Sequence, residues 1–240
     1  ATNANDNITL TIEGTGNYTG TATKTWKITK IDPVLADFDV TPDLAAALTY
    51  DGNPKTVAVT AKSGIHGMGA VTVKYNGGTD APTNAGSYAV TIDVADGSNY
   101  NAKEIGIGTL TINKATVPTL SDICESYKYT LTGEKTVNVS GLVTGATGYT
   151  LGAPSGNADI ISAASVDASG VVKYTLTGTG AAGNTVTLPV TISSTNYEDA
   201  TVNVVITLTA REDQAALTVS GGSTVVYGQT LQLGAEGGSG

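Results

Sequence analysis

One pattern recurs three times along this chain and sets most of what it can fold into: a strand-like run, a short polar turn containing Asn-Tyr, and a second strand-like run. The first copy runs from Thr9 through Asn17-Tyr18 to Thr25-Trp26-Lys27-Ile28-Thr29-Lys30. The second runs from Val90 through Asn99-Tyr100 to Thr109-Leu110-Thr111-Ile112-Asn113-Lys114. The third runs from Val190 through Asn196-Tyr197 to Val205-Ile206-Thr207-Leu208-Thr209. The asparagines stand 82 and then 97 positions apart, the size of a small β-sandwich and too long for a solenoid rung. Tyr88, Val90, Ile92 and Val94 alternate with Ala89, Thr91 and Asp93, the period of a half-buried strand. Gly and Asn in the turns are expected to supply the positive φ of tight hairpins. The following Tyr is expected to lay its ring over the end of the core, with stacking on a ligand as the alternative.

The closing strands divide the chain. Residues 1–31 read as the last strands of one repeat and 32–114 as a whole repeat entered at Asp32-Pro33, where proline fixes the linker. Residues 115–210 read as a second whole repeat, entered through Ala115-Thr116-Val117-Pro118, and 211–240 as the start of another. Its expected first strands are Ala216–Val219 and Thr224–Leu233. Inside the first whole repeat, strands are expected over Thr56–Lys62 and Val71–Tyr75, with turns at Asp51-Gly52 and Asn76-Gly77. Inside the second they are expected over Lys135–Ser140, Tyr149–Leu151, Val171–Thr177 and Thr185–Ile192. A one-turn helix is expected only at Leu44–Leu48. Both ends of the chain read as cuts through a repeat, with a polar Ala1–Leu10 that is no signal peptide and a Gly237–Gly240 end without a closing strand.

Composition agrees with an all-β chain of tandem sandwich-sized repeats. Thr and Val suit pleated strands, and 30 glycines supply turns. The formal charge is −9, from 12 basic and 21 acidic residues. Without a Lys/Arg stripe this speaks against a nucleic-acid binder and against anionic lipid. No run approaches the roughly 18 apolar residues that cross a bilayer. The single cysteine, Cys124, forbids an internal disulfide and is expected as a small buried hydrophobe.

The chain resembles the immunoglobulin-like and related β repeats of large bacterial surface proteins and adhesins. Leu48-Thr49-Tyr50-Asp51-Gly52, Ala81–Val90, the Asn-Tyr hairpins and the Lys-terminated last strands carry the resemblance, and Val226-Tyr227-Gly228-Gln229-Thr230-Leu231 is similar to the opening of the Tyr-Gly type. The second whole repeat lacks the Ala-Gly-x-Tyr element. The resemblance implies an extracellular, cell-surface or wall-associated protein. It leaves a β-grasp fold open beside the sandwich, and fold analogy assigns no ligand.

No catalytic set, cofactor site or metal site is expected, and the chain is read as no enzyme. His66, the one histidine, sits in the Gly-flanked loop Ser63–Gly69 and reads as solvent-facing. Gly178-Thr179-Gly180-Ala181-Ala182-Gly183 matches G-x-G-x-x-G, but a strand follows it, so no helix N-terminus awaits a phosphate and it reads as a hairpin loop. Asp93, Asp96 and Asn99, or Glu198 and Asp199 with Glu212 and Asp213, raise calcium without the spacing of a dedicated loop. Trp26 and Phe38, the only Trp and Phe, make no aromatic sugar platform. Three functions remain: a structural stalk whose partners are its own neighbouring repeats, a binding module for host glycans or proteins, and an accessory region of a secreted polysaccharide enzyme.

Overall fold

The computed structural model describes residues 3–210 and 218–236. The chain forms two compact units. The first is Ala1–Pro118 with Val143–Thr147 and Ser193–Asp199, and the second holds Thr119–Leu142, Gly148–Ile192 and Ala200–Gly240.

In the first unit, β1 (Asn7–Glu13) and β2 (Thr21–Lys27) make an antiparallel hairpin. Next come β3 (Phe38–Thr41), β4 (Leu48–Thr49), β5 (Ala58–Ala61), β6 (Val71–Tyr75), β7 (Gly86–Val94) and β8 (Lys103–Asn113). They form a two-stranded sheet, β3-β5, and a four-stranded sheet in the order β4-β8-β7-β6. Strand β4 runs parallel to β8, whereas β6, β7 and β8 pair antiparallel. The alternation expected along β7 holds, with Val90, Ile92 and Val94 buried between less buried neighbours. Val90, Leu110 and Ile112 pack with Val57 and Tyr75, while Phe38 packs with Ile92 and Val94. The buried Tyr75 hydroxyl accepts the Val57 N–H at 2.7 Å, so the one polar atom of that side chain is satisfied. At the expected turn, Asn76 (φ 48) and Gly77 (φ 86) are both left-handed, the conformation that Asn-Gly tolerates.

The second unit contains β9 (Ile123–Lys128), β10 (Thr132–Asn138), β11 (Ala146–Leu151), β12 (Ser155–Gly156), β13 (Ile161–Val166), β14 (Val171–Thr177), β15 (Thr185–Ser194) and β16 (Ala200–Thr209). One sheet is β10-β14-β13; the other is β11-β15-β16-β9, with β12 also on β15. Inward residues of both sheets are buried: Val172, Tyr174 and Leu176 from one, Val186, Leu188, Val190, Ile192, Val202, Val204, Ile206 and Leu208 from the other. This is an all-β sandwich with the two-sheet division of immunoglobulin-like domains. Among the described residues the only helices are two three-residue 3-10 turns, Leu35–Asp37 and Ala158–Ile160, so the crossing helix of a β-grasp is absent there. Buried Tyr174 shares a hydrogen bond with the Tyr127 hydroxyl at 3.1 Å, and Tyr127 donates to Glu125 Oε2 at 3.2 Å. Burial pushes the Tyr174 hydroxyl far above the ordinary tyrosine pKa. Pro189 lies within β15 and lacks a ladder donor. The partner strand breaks opposite it, between Leu151 and Ser155, and Gly152 N–H donates to its carbonyl at 2.8 Å.

Four expectations need correction. Leu44–Leu48 is not a helix: Asp43 Oδ1 accepts the Ala45 N–H at 2.9 Å in an Asx turn, and Leu48 joins β4. Cys124 is exposed, not buried; on β9 the alternation turns Ile123, Glu125 and Tyr127 inward and Cys124 outward. Residues 178–183 are not a hairpin, because β14 and β15 lie in different sheets. Gly178, Gly180 and Gly183 take positive φ there and carry the chain across the sandwich. Finally, β17 (Thr218–Gly221) pairs with β18 (Leu233–Glu236), and no strand spans 224–232. Ala216-Leu217, Glu212, Asp213 and Gly237–Gly240 lie outside the described residues.

Candidate functional site

The first unit holds two copies of one polar arrangement, each built on an Asn-Tyr turn. In the turn between β7 and β8, Asn99 Oδ1 accepts the Ala4 N–H at 2.8 Å, and Asn99 Nδ2 donates to Asn3 Oδ1 at 3.4 Å. The Asn99 carbonyl accepts the Ile31 N–H at 3.1 Å, and Asn101 N–H donates to the Ile31 carbonyl at 2.9 Å. Ile31 and Tyr100 thereby form a parallel bridge.

The segment Ser193–Asp199 repeats this atom for atom. Asn196 Oδ1 accepts the Ala85 N–H at 2.8 Å, and Asn196 Nδ2 donates to Asn84 Oδ1 at 3.0 Å. The Asn196 carbonyl accepts the Ala115 N–H at 2.9 Å, Glu198 N–H donates to the Ala115 carbonyl at 2.8 Å, and Ala115 bridges Tyr197 in parallel. A primary amide carries its acceptor oxygen and its donor nitrogen on separate atoms, so one side chain accepts one of these bonds and donates the other. The receiving side is also the same in sequence: Asn-Ala ahead of β1 and of β7, then Ile28-Thr29-Lys30-Ile31 and Ile112-Asn113-Lys114-Ala115. Tyr88 donates to the Asn84 carbonyl at 2.9 Å, which braces that Asn-Ala segment.

Surrounding groups differ between the copies. Around Asn99, Lys30 pairs with Asp96, and Asp32 faces Lys103 at 3.6 Å. A hydrogen bond from Asn101, with help from the Lys103 charge, holds the Asp32 carboxyl below the usual carboxylate range. Asn99 Nδ2 also donates to the His66 carbonyl at 3.0 Å. Around Asn196, the Tyr197 ring meets Tyr50 edge-on at 5.5 Å. The buried Ser194 hydroxyl lies 3.1 and 3.0 Å from the carbonyls of Thr144 and Gly145.

The residues singled out from sequence fare differently. Tyr100 is 7% exposed, Tyr197 is half-buried and Tyr18 is 80% exposed, so the expected packing of the ring holds for one copy, partly for the second and not for Tyr18. Gly16 (φ 72) and Gly20 (φ 113) supply the expected positive φ in the first turn, but none of Asn17, Asn99 and Asn196 does, which corrects that expectation for the asparagines; at 99 and 196 the amide is what the position uses. His66 is exposed, as expected. Asp93 pairs with Lys74 and Asp96 with Lys30, so these carboxylates diverge. Among the described residues no group of three or more His, Cys, Asp or Glu is placed to hold a metal. Trp26 is half exposed on β2 and Phe38 is core. Sequence reasoning missed the receiving pair, although Asn3-Ala4 and Asn84-Ala85 recur close to one repeat apart.

Residues 42–116 match the MBG domain. That stretch contains Asn84, Ala85, Tyr88 and Ala115, the receiving side of the second arrangement. No curated protein matches the chain. Among solved structures, SGBP-B of the Bacteroides ovatus mixed-linkage glucan utilization locus, in complex with a mixed-linkage heptasaccharide, is similar at 14% identity and TM-score 0.25, over 71% of this chain and 47% of that one. An endo-fucoidan hydrolase of glycoside hydrolase family 107 is similar at 14% identity and TM-score 0.26, over 86% of this chain and 34% of that one. The chain thus spans less than half the length of either. Among the described residues no helix is long and apolar enough to cross a membrane.

Proposed function

We propose that this chain is a non-catalytic structural region of a bacterial extracellular surface protein, built from repeats that the Asn-Tyr turns clamp in sequence. The observation that carries this reading is the duplicated arrangement at Asn99 and Asn196. A ligand site needs one constellation of groups facing solvent. Here the same amide is instead engaged twice by backbone and side-chain groups of the chain itself, at each passage from one closing strand to the next linker. The MBG match over 42–116 and the Lys-terminated closing strands support the surface-repeat class. The exposed His66 and the divergence of Asp93 and Asp96 onto separate lysines fit a region without chemistry of its own.

Asn196→Ala tests the clamp. It removes two hydrogen bonds, each worth about 0.5–1.5 kcal/mol net. The Ala85 amide is therefore expected to exchange with solvent about tenfold faster or more, while the β15–β16 amides keep their protection. Unchanged exchange at Ala85 would refute the clamp. The structural role is tested by presenting the whole chain to arrays of polysaccharides and host proteins. No retention above background is expected. Saturable micromolar binding to any of them would replace this reading with a binding module.

A further inference from the structure

The third Asn-Tyr turn, between β1 and β2, has the same frame as the one that clamps Asn84-Ala85. The last cross-strand pair of β1–β2 is Glu13↔Thr21, and that of β15–β16 is Ile192↔Ala200. Each pair encloses a loop of equal length, Gly14-Thr15-Gly16-Asn17-Tyr18-Thr19-Gly20 in one and Ser193-Ser194-Thr195-Asn196-Tyr197-Glu198-Asp199 in the other. Asn stands fourth and Tyr fifth in both. The second position carries a hydroxyl in both, Thr15 matching Ser194, whose oxygen approaches the Thr144 and Gly145 carbonyls. Yet Tyr18 is 80% exposed where Tyr197 lies against Tyr50, and among the described residues nothing bonds the Asn17 side-chain amide.

We propose that Asn17 and Tyr18 are a docking face for a further repeat of this same type. The partner is one that presents Asn-Ala ahead of its penultimate strand and a closing strand ending in Lys and one more residue. Asn84-Ala85 with Lys114-Ala115 is the template for it, and Asn3-Ala4 with Lys30-Ile31 is the second instance. The amide of Asn17 accepts the Ala-type N–H and donates to the Asn-type side-chain oxygen, and the Tyr18 backbone bridges the residue after the Lys. The loop 14–20 has no acidic side chain, so this contact rests on the amide and the ring and not on a pair like Lys30–Asp96. The inference rests on the clamp reading proposed above.

The test gives the 193–199 loop of the full chain the framework of 14–20, by Ser193→Gly, Ser194→Thr, Thr195→Gly, Glu198→Thr and Asp199→Gly, leaving Asn196 and Tyr197 in place. The expected result is an Ala85 amide exchange rate within about threefold of the parent chain, rising to the Asn196→Ala rate when that substitution is added. A folded variant, with β15–β16 amides protected, whose Ala85 exchanges as fast as in Asn196→Ala overturns the inference while leaving the clamp intact. If Asn196→Ala alone leaves Ala85 protected, the clamp itself fails, which is a different outcome. Should the five-fold variant not fold, Thr195→Gly with Glu198→Thr and Asp199→Gly keeps the buried Ser194 and is read by the same rates.

Discussion

Ile206→Ala is expected to destabilise the second unit by about 2–5 kcal/mol, read as a lower denaturant midpoint with an unchanged slope. Ile206 is fully buried and sits mid-way along β16, opposite Val186 of β15 on one side and Glu125 of β9 on the other. Both neighbours are held by backbone ladders, so the sheet cannot collapse into the space left by the lost methyl groups, and the cavity adds to the lost transfer energy. Against a total of about 5–15 kcal/mol for an ordinary domain, that loss is a large fraction. Cys124 lies on the outer face of the neighbouring strand β9, and Cys124→Ala is expected within about 0.5 kcal/mol of the parent. Equal losses for the two variants would contradict the burial pattern of β9 and β16.

Much of this fold was legible from period alone. Val71–Tyr75 and Val171–Thr177 are strands with the expected bounds, because alternation within a sandwich forces each register position to one side. Short or polar strands were not legible. Strand β4 is two residues long and borrows its stability from parallel pairing with β8, a partner more than sixty positions away that no local window contains. Leu44–Leu48 has helical composition, but Asp43 closes an Asx turn and Leu48 is taken by the sheet, so tertiary pairing overrides propensity. Cys124 between Ile123 and Glu125 gives no phase by itself. The inward turn of Tyr127 supplies that phase only once β9 is known to be a strand.

The clamp was half legible. Recurrence exposed Asn-Tyr because the turn repeats with its flanking strands. The receiving Asn-Ala is only two residues, and its role is visible only when the chain returns to it from 95 or 111 positions away. The same logic explains a missing copy. Leu208 N–H donates to the Asn184 carbonyl where Ile112 faces Gly86, so Ala182-Gly183 stand where Asn84-Ala85 stand ahead of β7, and neither carries an amide side chain. Tyr129 keeps the place of Tyr50, its N–H donating to the Thr209 carbonyl at 3.1 Å as Tyr50 donates to Asn113 at 2.9 Å. The absent Ala-Gly-x-Tyr element of the second whole repeat is thus the absent brace of a receiving site.

The proposed stalk role has a mechanical consequence, and pulling the chain by its two ends is expected to give two classes of unfolding event. In each unit the early strand and the closing strand are parallel neighbours, so force enters at opposite ends of the pair and shears all its bonds together. Strands β9 and β16 are registered over six pairs, from Val204↔Ile123 to Thr209↔Lys128. Strands β4 and β8 are registered over two, Leu48↔Ile112 and Thr49↔Asn113. Forced unfolding follows the unfolding rate and not the equilibrium stability, so the longer shear patch sets the higher rupture force. The classes are separable by length as well: residues 123–209 are released in one and 48–113 in the other, a difference of about 70 Å at roughly 3.5 Å per extended residue. Single-molecule force spectroscopy checks both quantities on the same trace. If the longer contour step came at the lower force, the parallel patches would not be the elements that resist extension.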